Sequence, residues 1–227
     1  MTVPVPPWRA PKKAARQPLS ADRVLATALR IVDREGLDGL SMRRVAQALG
    51  TGAASLYAYF SSKEELLEQL LDRVIGTVPV PAVEPGRWVE QLKELHINSR
   101  AALRAHRDLA RAAQANIPVG PNSLRLTEHA LALLRAGGVP DRYAAYAVDK
   151  LAMIVVADVV EGAMYQAQEH GADDLKRIRD YFASLPPDQF PNLVAMADAL
   201  FEGEGDQRFL FSLDLMVDGL AALAARP

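Results

Sequence analysis

The chain has 227 residues, of which half are apolar and 24% are charged, and its formal net charge is −2. These proportions suit one or two folded domains and exclude a chain that is disordered throughout. The absence of cysteine excludes a disulfide scaffold, a cysteine-ligated metal centre and a cysteine nucleophile. No apolar run reaches the roughly 18 residues of a membrane span, and no secretory signal begins the chain. We therefore expect a cytoplasmic protein without a membrane partner.

Charge is distributed unevenly along the chain. Residues 1–62 hold nine Lys or Arg and four Asp or Glu, whereas residues 77–227 hold fifteen and twenty. A basic head on an acidic body suggests that only the head has an anionic partner. Residues 1–19 contain five prolines, four cations and no acid. They are interpreted as a flexible basic arm, with a disordered tail of no function as the alternative.

Two short helices with a tight turn between them are predicted after the arm. Ser20 can cap the first helix, whose apolar residues recur at helical spacing, and Gly36 and Gly39 end it. Ser41 can cap a second helix that reaches Leu49.

A third and a fourth helix follow the break at Gly50–Gly52. The third is very short and covers Ala53–Tyr59, and Ser62–Glu65 has the pattern of a capping box that opens the fourth. Helices joined by a glycine-containing turn of three or four residues are typical of a helix-turn-helix unit.

The stretch from Val78 to Gly86 contains three prolines and predicts a stiff connector, because proline cannot continue a helix. Beyond it every segment has a helical pattern, and we find no alternating strand pattern and no internal repeat. The predicted helices are Trp88–Ala105, Asp108–Ala115, Ser123–Ala136, Asp141–Glu169, Asp173–Leu185, Leu193–Phe201 and Asp206–Ala225.

The predicted fold class is therefore all-α, with an N-terminal three-helix helix-turn-helix head and a larger C-terminal helical bundle. The expected organisation is a flexible basic arm at 1–19, a DNA-binding domain at 20–76, a proline-rich connector at 77–87 and a helical ligand-binding and dimerisation domain at 88–227.

One motif identifies a family. Ser55-Leu56-Tyr57-Ala58-Tyr59-Phe60, followed by Lys63 and Leu66-Leu67, comes directly after a glycine turn. Together with Leu40–Ala46, it resembles the TetR family of bacterial transcriptional repressors. Weaker similarity in Gly162–His170 and Phe209–Leu220 resembles the tetracycline-repressor branch. The resemblance implies a homodimer that binds a palindromic DNA operator and is released by a small-molecule effector bound in the C-terminal domain.

The resemblance also implies a set of DNA contacts. Ser41 caps its helix near a phosphate, and Arg44 is either a phosphate contact or a solvated surface residue. The recognition positions hold no Arg, Asn or Gln, so strong hydrogen-bond pairs to guanine or adenine are not expected from this helix. We expect methyl contacts from Ala53 and Ala54 to thymine, and recognition of DNA shape. The arm is a candidate contributor to that recognition of shape. The predicted DNA-binding residues are Ser41, Arg43, Arg44, Thr51, Gly52, Ala53, Ala54, Ser55, Tyr57, Tyr59 and Lys63.

By the same resemblance, the helices Asp141–Glu169 and Asp206–Ala225 form the dimer interface. The last helix carries an apolar stripe that is predicted to take part in this interface. The alternative is that the stripe packs only within its own subunit. The stripe consists of Phe209, Leu213, Met216, Leu220 and Leu223.

An effector pocket is expected in the bundle, with polar groups on an otherwise apolar wall. Its candidate residues are Leu95, Ser99, His106, Gln114, Asn116, Ile154, Asp158, Glu161 and Tyr165. For His106 the alternative is a hydrogen-bonded core or rim histidine. For the helix face that carries Asp158 and Glu161, the alternative is a face exposed to solvent. Ala113 stands where the family's magnesium-ligating histidine would lie, and Thr77–Pro79 where a second tetracycline contact would lie. A tetracycline–magnesium effector is therefore not expected.

Two other classes of protein were weighed. The four histidines are scattered, and the chain has no metalloprotease, nucleophile-elbow, P-loop or dinucleotide motif, so we predict no catalytic residue, no metal and no cofactor. A sequence-independent DNA or membrane-surface binder is the other alternative, and the modest charge of the head disfavours it. An activator of the same fold cannot be distinguished from a repressor by sequence.

Overall fold

The computed structural model describes residues 18–106, 108–115, 119–167, 172–203 and 205–226, without the side chains of residues 115, 165–167 and 172. The described part contains helices and turns and no strand. Its α-helices are α1 (Ala21–Glu35), α2 (Met42–Leu49), α3 (Lys63–Ile75), α4 (Trp88–Arg104), α5 (Leu109–Ala115), α6 (Pro121–Ala136), α7 (Asp141–Ala167), α8 (Ala172–Ala183), α9 (Pro191–Ala195), α10 (Ala197–Phe201) and α11 (Gly205–Ala224). The predicted all-α fold class is confirmed.

The head consists of α1, α2 and α3, and each begins at the predicted cap. The hydroxyl oxygens of Ser20, Ser41 and Ser62 accept hydrogen bonds from the backbone N–H three residues further on. These bonds satisfy amides that a helix leaves without a partner at its N-terminus. Gly50 adopts a left-handed conformation with φ 67° and ends α2, because that conformation costs glycine nothing. The three helices close over a core that includes Val24, Ile31, Val45, Leu56, Phe60, Leu66 and Leu70.

The prediction of an α-helix over Ala53–Tyr59 is wrong. Only Ala53–Ser55 is helical, as a single 3₁₀ turn, and the chain then continues in turns to Tyr59. A seven-residue segment gains too few hydrogen bonds to form a stable α-helix by itself. Burial of Leu56 and Phe60, both with 0% exposure, instead fixes the path of the chain.

The connector has no regular secondary structure from Pro79 to Glu84 and ends in a 3₁₀ turn at Pro85–Arg87. Side chains of the body hold it in place. The Gln91 amide donates to the Ala82 carbonyl and accepts from the Glu84 N–H, both at 2.8 Å, and Arg125 donates to the Val78 carbonyl. The connector is therefore packed against the body.

In the body, α4, α6 and α7 pack on one another, and α11 packs on α4 and α7. The helix α7 has 27 residues and is about 40 Å long. Two predicted helices are corrected. The helix α6 begins at Pro121, because proline is favoured in the first helical turn. The segment predicted as one helix at 193–201 forms α9 and α10, which meet at Met196. Within the described residues, no helix is long and apolar enough to cross a membrane.

Candidate DNA-binding surface and effector cavity

One surface of the head presents most of the predicted DNA contacts to solvent. Arg43 is exposed on α2, and Gly52, Ala54, Ser55 and Tyr57 are exposed on the turns that follow it. Thr51, Ala53 and Lys63 are half-buried. We call this the DNA-facing surface. Its small side chains leave the backbone of the turn accessible, while Leu56 and Phe60 beneath it form the core.

The two arginines of α2 have different surroundings. Arg44 forms a two-pronged ion pair with Glu35 of α1, in which its Nε lies 3.1 Å from a carboxylate oxygen. This hydrogen bond lowers the pKa of Glu35 below its ordinary value. Arg43 has no ion-pair partner among the described residues and is free to meet a phosphate.

Tyr59 connects this surface to the start of α1. Its hydroxyl donates to the carbonyl of Leu19 at 2.8 Å, and Arg23 donates to the carbonyl of Pro18 at 2.7 Å. The proton of Tyr59 that was predicted to contact DNA is therefore used within the subunit. Residues 18 and 19 of the predicted arm lie beside the DNA-facing surface, and residues 1–17 lie outside the described part of the chain.

A cavity of about 130 Å³ lies between α3, α4, α6 and α7, with Ala113 of α5 at its edge. We call it the effector cavity. Its wall is mostly apolar, and none of its residues is Lys, Arg, Asp or Glu. It is lined by Leu71, Ile75, Leu95, His96, Ser99, Leu103, Ala113, Ser123, Leu126, Thr127, Ala130, Val148, Ala152 and Val155.

Only Leu95 and Ser99 of the predicted effector residues line this cavity. Ile154 lines a separate groove beside α11, Gln114 and Glu161 are exposed, and Asn116 and the side chain of Tyr165 lie outside the described part. Helical periodicity placed Leu95 and Ser99 correctly because both belong to the inner face of α4.

His106 and Asp158 do not line the cavity, and each contacts a polar partner elsewhere in the chain. The His106 ring Nδ1 lies 3.0 Å from a carboxylate oxygen of Asp33, on α1 of the head. Asp158 accepts two hydrogen bonds from Arg100, which also contacts Asp206 at 2.7 Å and stacks over the ring of Phe209 at 4.3 Å. Charged groups near an apolar cavity find partners, because burying an unpaired charge is costly.

Sequence reasoning missed the contribution of the head to the cavity. Leu71 and Ile75 come from the C-terminal half of α3, whose N-terminal half is in the core of the head. It also missed His96, which is 6% exposed and whose Nδ1 lies 2.8 Å from the carbonyl oxygen of Leu92. The spacing of four residues between Leu92 and His96 was a signal for this shared face.

Asp72 fastens α3 to the first turn of α6. Its carboxylate accepts hydrogen bonds from the backbone N–H groups of Asn122 and Ser123 and from both side chains, at 2.8–3.3 Å. Burial by itself would raise the pKa of Asp72, but these bonds outweigh it and lower the pKa. A Cβ at Gly120 would collide with this carboxylate, so glycine permits the close approach.

The whole chain matches known proteins in both of its parts. The model of the TetR family of bacterial regulatory proteins matches residues 24–70, and that of the tetracycline repressor-like C-terminal domain matches residues 80–224. The chain is a member of the TetR family. The protein is therefore a DNA-binding transcriptional regulator and not an enzyme.

Relatives of this TetR-family chain are repressors. The transcriptional repressor DrrR1 of Streptomyces coeruleorubidus is 32% identical over 226 residues, which are 96% of this chain and 83% of that protein. The class C tetracycline repressor of Escherichia coli is 28% identical over 89% of this chain and 90% of its own length.

A similar TetR-family structure contains a bound ligand. ActR of Streptomyces coelicolor, in complex with actinorhodin, is 44% identical and superimposes with a TM-score of 0.87 over 92% of this chain and 100% of its own. Members of the family respond to small-molecule effectors and use no cofactor. Among the residues described here, no group of three or more His, Asp or Glu side chains could hold a metal ion.

Proposed function

We propose that two copies of this chain form a repressor that binds a palindromic operator and releases it when an effector enters the effector cavity. The observation that carries the proposal is the position of α3. This helix contributes Leu66 and Leu70 to the core of the head and Leu71 and Ile75 to the wall of the cavity. A ligand that moves this wall must act on the head, because both lie on one continuous helix.

The size of the cavity supports this coupling. At about 130 Å³ it is smaller than the roughly 300–1,000 Å³ of pockets that hold drug-sized ligands. On this proposal a larger ligand displaces the part of the wall that α3 contributes, which the Asp72 carboxylate joins to α6. The effector therefore favours the conformation in which the wall is displaced, and the difference between its affinities for the two conformations sets the shift.

Exposed apolar side chains on α7 and α11 support the dimer. Phe211 and Leu215 are 68% and 66% exposed, and Tyr146 and Met153 of α7 are 55% exposed. The stripe predicted from the sequence differs from this face: Phe209, Leu213 and Leu220 are buried within the subunit, as the alternative had it. The proposed interface is therefore the opposite side of α11 together with α7. Apolar side chains of this size in a group are typical of an interface.

On the proposed operator, the predicted DNA contacts divide into two groups. Arg43, Lys63 and the basic arm neutralise phosphates, and Ala53 and Ala54 offer methyl groups to thymine. Arg44 orients α2 through Glu35 and contributes less to the DNA contact. Two heads related by a two-fold axis then occupy half-sites about 34–36 Å apart.

The proposed effector is a small organic molecule that binds without a metal. ActR, at 44% identity, is known with actinorhodin and with (S)-DNPA, so a similar chain binds small organic molecules. The position at which the family's magnesium-ligating histidine was expected is Ala113, an apolar part of the cavity wall. A tetracycline–magnesium complex would find no ligand there.

The test is a selection of random duplex DNA by the purified full chain, together with its mass in solution. We expect an enriched palindrome with two similar half-sites about one helical turn apart, bound by a dimer. Binding that follows only the salt concentration, or a selected site without two-fold symmetry, would rule out the proposed operator complex. A variant with Phe211 and Leu215 changed to Glu is expected to be monomeric and to lose the palindrome preference.

A further inference from the structure

Most polar side chains of the effector cavity can only accept a hydrogen bond from a ligand. Four of its fourteen lining residues carry polar side chains: His96, Ser99, Ser123 and Thr127. In three of them the proton is already donated to an atom of the protein. The Ser99 hydroxyl donates to the Leu95 carbonyl at 2.7 Å, and the Ser123 hydroxyl donates to the Asp72 carboxylate at 3.0 Å. Both oxygens can therefore only accept a hydrogen bond from a ligand.

His96 follows the same rule. Its Nδ1 contacts the Leu92 carbonyl oxygen, which can only accept, so Nδ1 carries the proton. Burial lowers the pKa of His96 and keeps the ring neutral, since the opposing effect of the Leu92 bond is smaller. In a neutral ring with a proton on Nδ1, Nε2 is an acceptor. No hydrogen bond of this Nε2 is found among the described residues, and His96 is part of the cavity wall.

The cavity also lacks a partner for a charged ligand group. No cation lines it, and its one neighbouring carboxylate, Asp72, lies behind Ser123 and is occupied by four hydrogen bonds. A carboxylate or phosphate in the cavity would find one hydroxyl donor, that of the exposed Thr127, and otherwise acceptors and apolar carbon, so most of its hydration would be lost without replacement.

From this arrangement we propose that the cavity selects neutral, largely apolar molecules that donate a hydroxyl or N–H hydrogen bond to Nε2 of His96, and that it rejects anions. The inference rests on the proposed function only for the statement that such a ligand is the effector. Binding by the cavity itself can be measured without DNA, so the two can fail separately.

The test uses three probes of nearly equal shape: 2-naphthol, which has a donor, 2-methoxynaphthalene, which has none, and 2-naphthoate, which is an anion. Equilibrium dialysis at pH 7.5 gives the dissociation constant of each with the full chain. We expect 2-naphthol to bind about tenfold more tightly than either of the others, which corresponds to about 1.4 kcal/mol and to one hydrogen bond.

Two variants assign the effect to His96. His96→Phe keeps an aromatic ring of similar size and is expected to make the constants for 2-naphthol and 2-methoxynaphthalene equal within about twofold. Thr127→Val removes the hydroxyl of the wall whose proton is not donated to another described residue, and is expected to keep the tenfold preference. The preference among probes in the unaltered chain tests the inference even if His96→Phe does not fold.

Several results would overturn the inference: equal binding of 2-naphthoate, no binding of any probe, a preference that survives in His96→Phe, or one lost in Thr127→Val. Operator binding is then measured with 2-naphthol present. Selective binding of 2-naphthol without release of DNA would contradict the proposed coupling and leave the inference on the cavity intact. Release of DNA by an anionic ligand bound in the cavity would contradict the inference on the cavity and leave the proposed coupling intact.

Discussion

The DNA-facing surface and the effector cavity use their polar side chains in different ways. On the surface, Arg43 and Tyr57 are exposed, and neither side chain has a hydrogen bond or ion pair to another described residue. In the cavity, Ser99, Ser123 and His96 each have a structural hydrogen bond and also line the cavity wall. A change on the surface should therefore alter DNA binding alone, whereas a change in the cavity should alter stability, ligand choice and the connection to the head together.

The largest effect is expected at Asp72, which joins the two regions. Asp72→Asn places an amide N–H₂ against two backbone N–H donors and should lower the free energy of unfolding by about 2–3 kcal/mol at pH 7. Urea denaturation of both proteins measures it. Asp22→Asn is the matched control, because its ion pair with Arg73 is exposed and should contribute less than about 0.5 kcal/mol.

The Asp72 effect should also depend on pH in a defined direction. The folded-state pKa is lowered, so the stabilisation is fully present above the unfolded pKa of about 3.9 and is lost as the pH falls through the lower folded value. The difference between the two proteins should therefore be constant from pH 7 to about pH 5 and shrink only in acid. A difference that disappears near pH 6 would contradict this assignment.

The next effect concerns the arm, which supplies most of the net positive charge of residues 1–62. Residues 20–62 hold five cations and four acids, whereas residues 1–19 hold four cations and no acid. Changing Arg9, Lys12, Lys13 and Arg16 to Gln should reduce the slope of log affinity against log salt by about 0.9 for each cation that contacts a phosphate. An unchanged slope would mean that the arm takes no part in binding.

The smallest effect separates the neighbouring arginines of α2. Arg43→Ala should weaken operator binding about tenfold and reduce the salt slope by about 0.9 per subunit. Arg44→Ala should change both less, since its guanidinium is held by Glu35. Fluorescence anisotropy with a selected operator at several salt concentrations measures both variants. A larger loss in Arg44→Ala would show that the Glu35 pair opens on DNA.

The sequence predicted the head better than the body because the signals in the head are local. A serine cap, a glycine turn and an apolar repeat act within one or two turns of chain, so α1, α2 and α3 begin where Ser20, Ser41 and Ser62 indicate. The error at Ala53–Tyr59 arose where packing of Leu56 and Phe60 outweighs local propensity.

In the body, the same periodicity found the inner face of α4 but could not tell which residues line a cavity. Helical periodicity predicted that His106 and Asp158 line the effector pocket. Their partners Asp33 and Arg100 are 73 and 58 residues away along the chain. No local pattern contains such pairings. For the same reason the contribution of α3 to the cavity and the Asp72 contact to α6 were not foreseen.

By itself, then, the sequence determined the all-α class, the caps of the head, the family and the position of the glycine turn after α2, because each depends on residues close together in the chain. The tertiary structure decided which polar groups face the cavity, which are neutralised by distant charges, and that one helix belongs to both the head and the cavity wall. These depend on contacts between segments far apart in sequence, and only the packed chain brings those segments together.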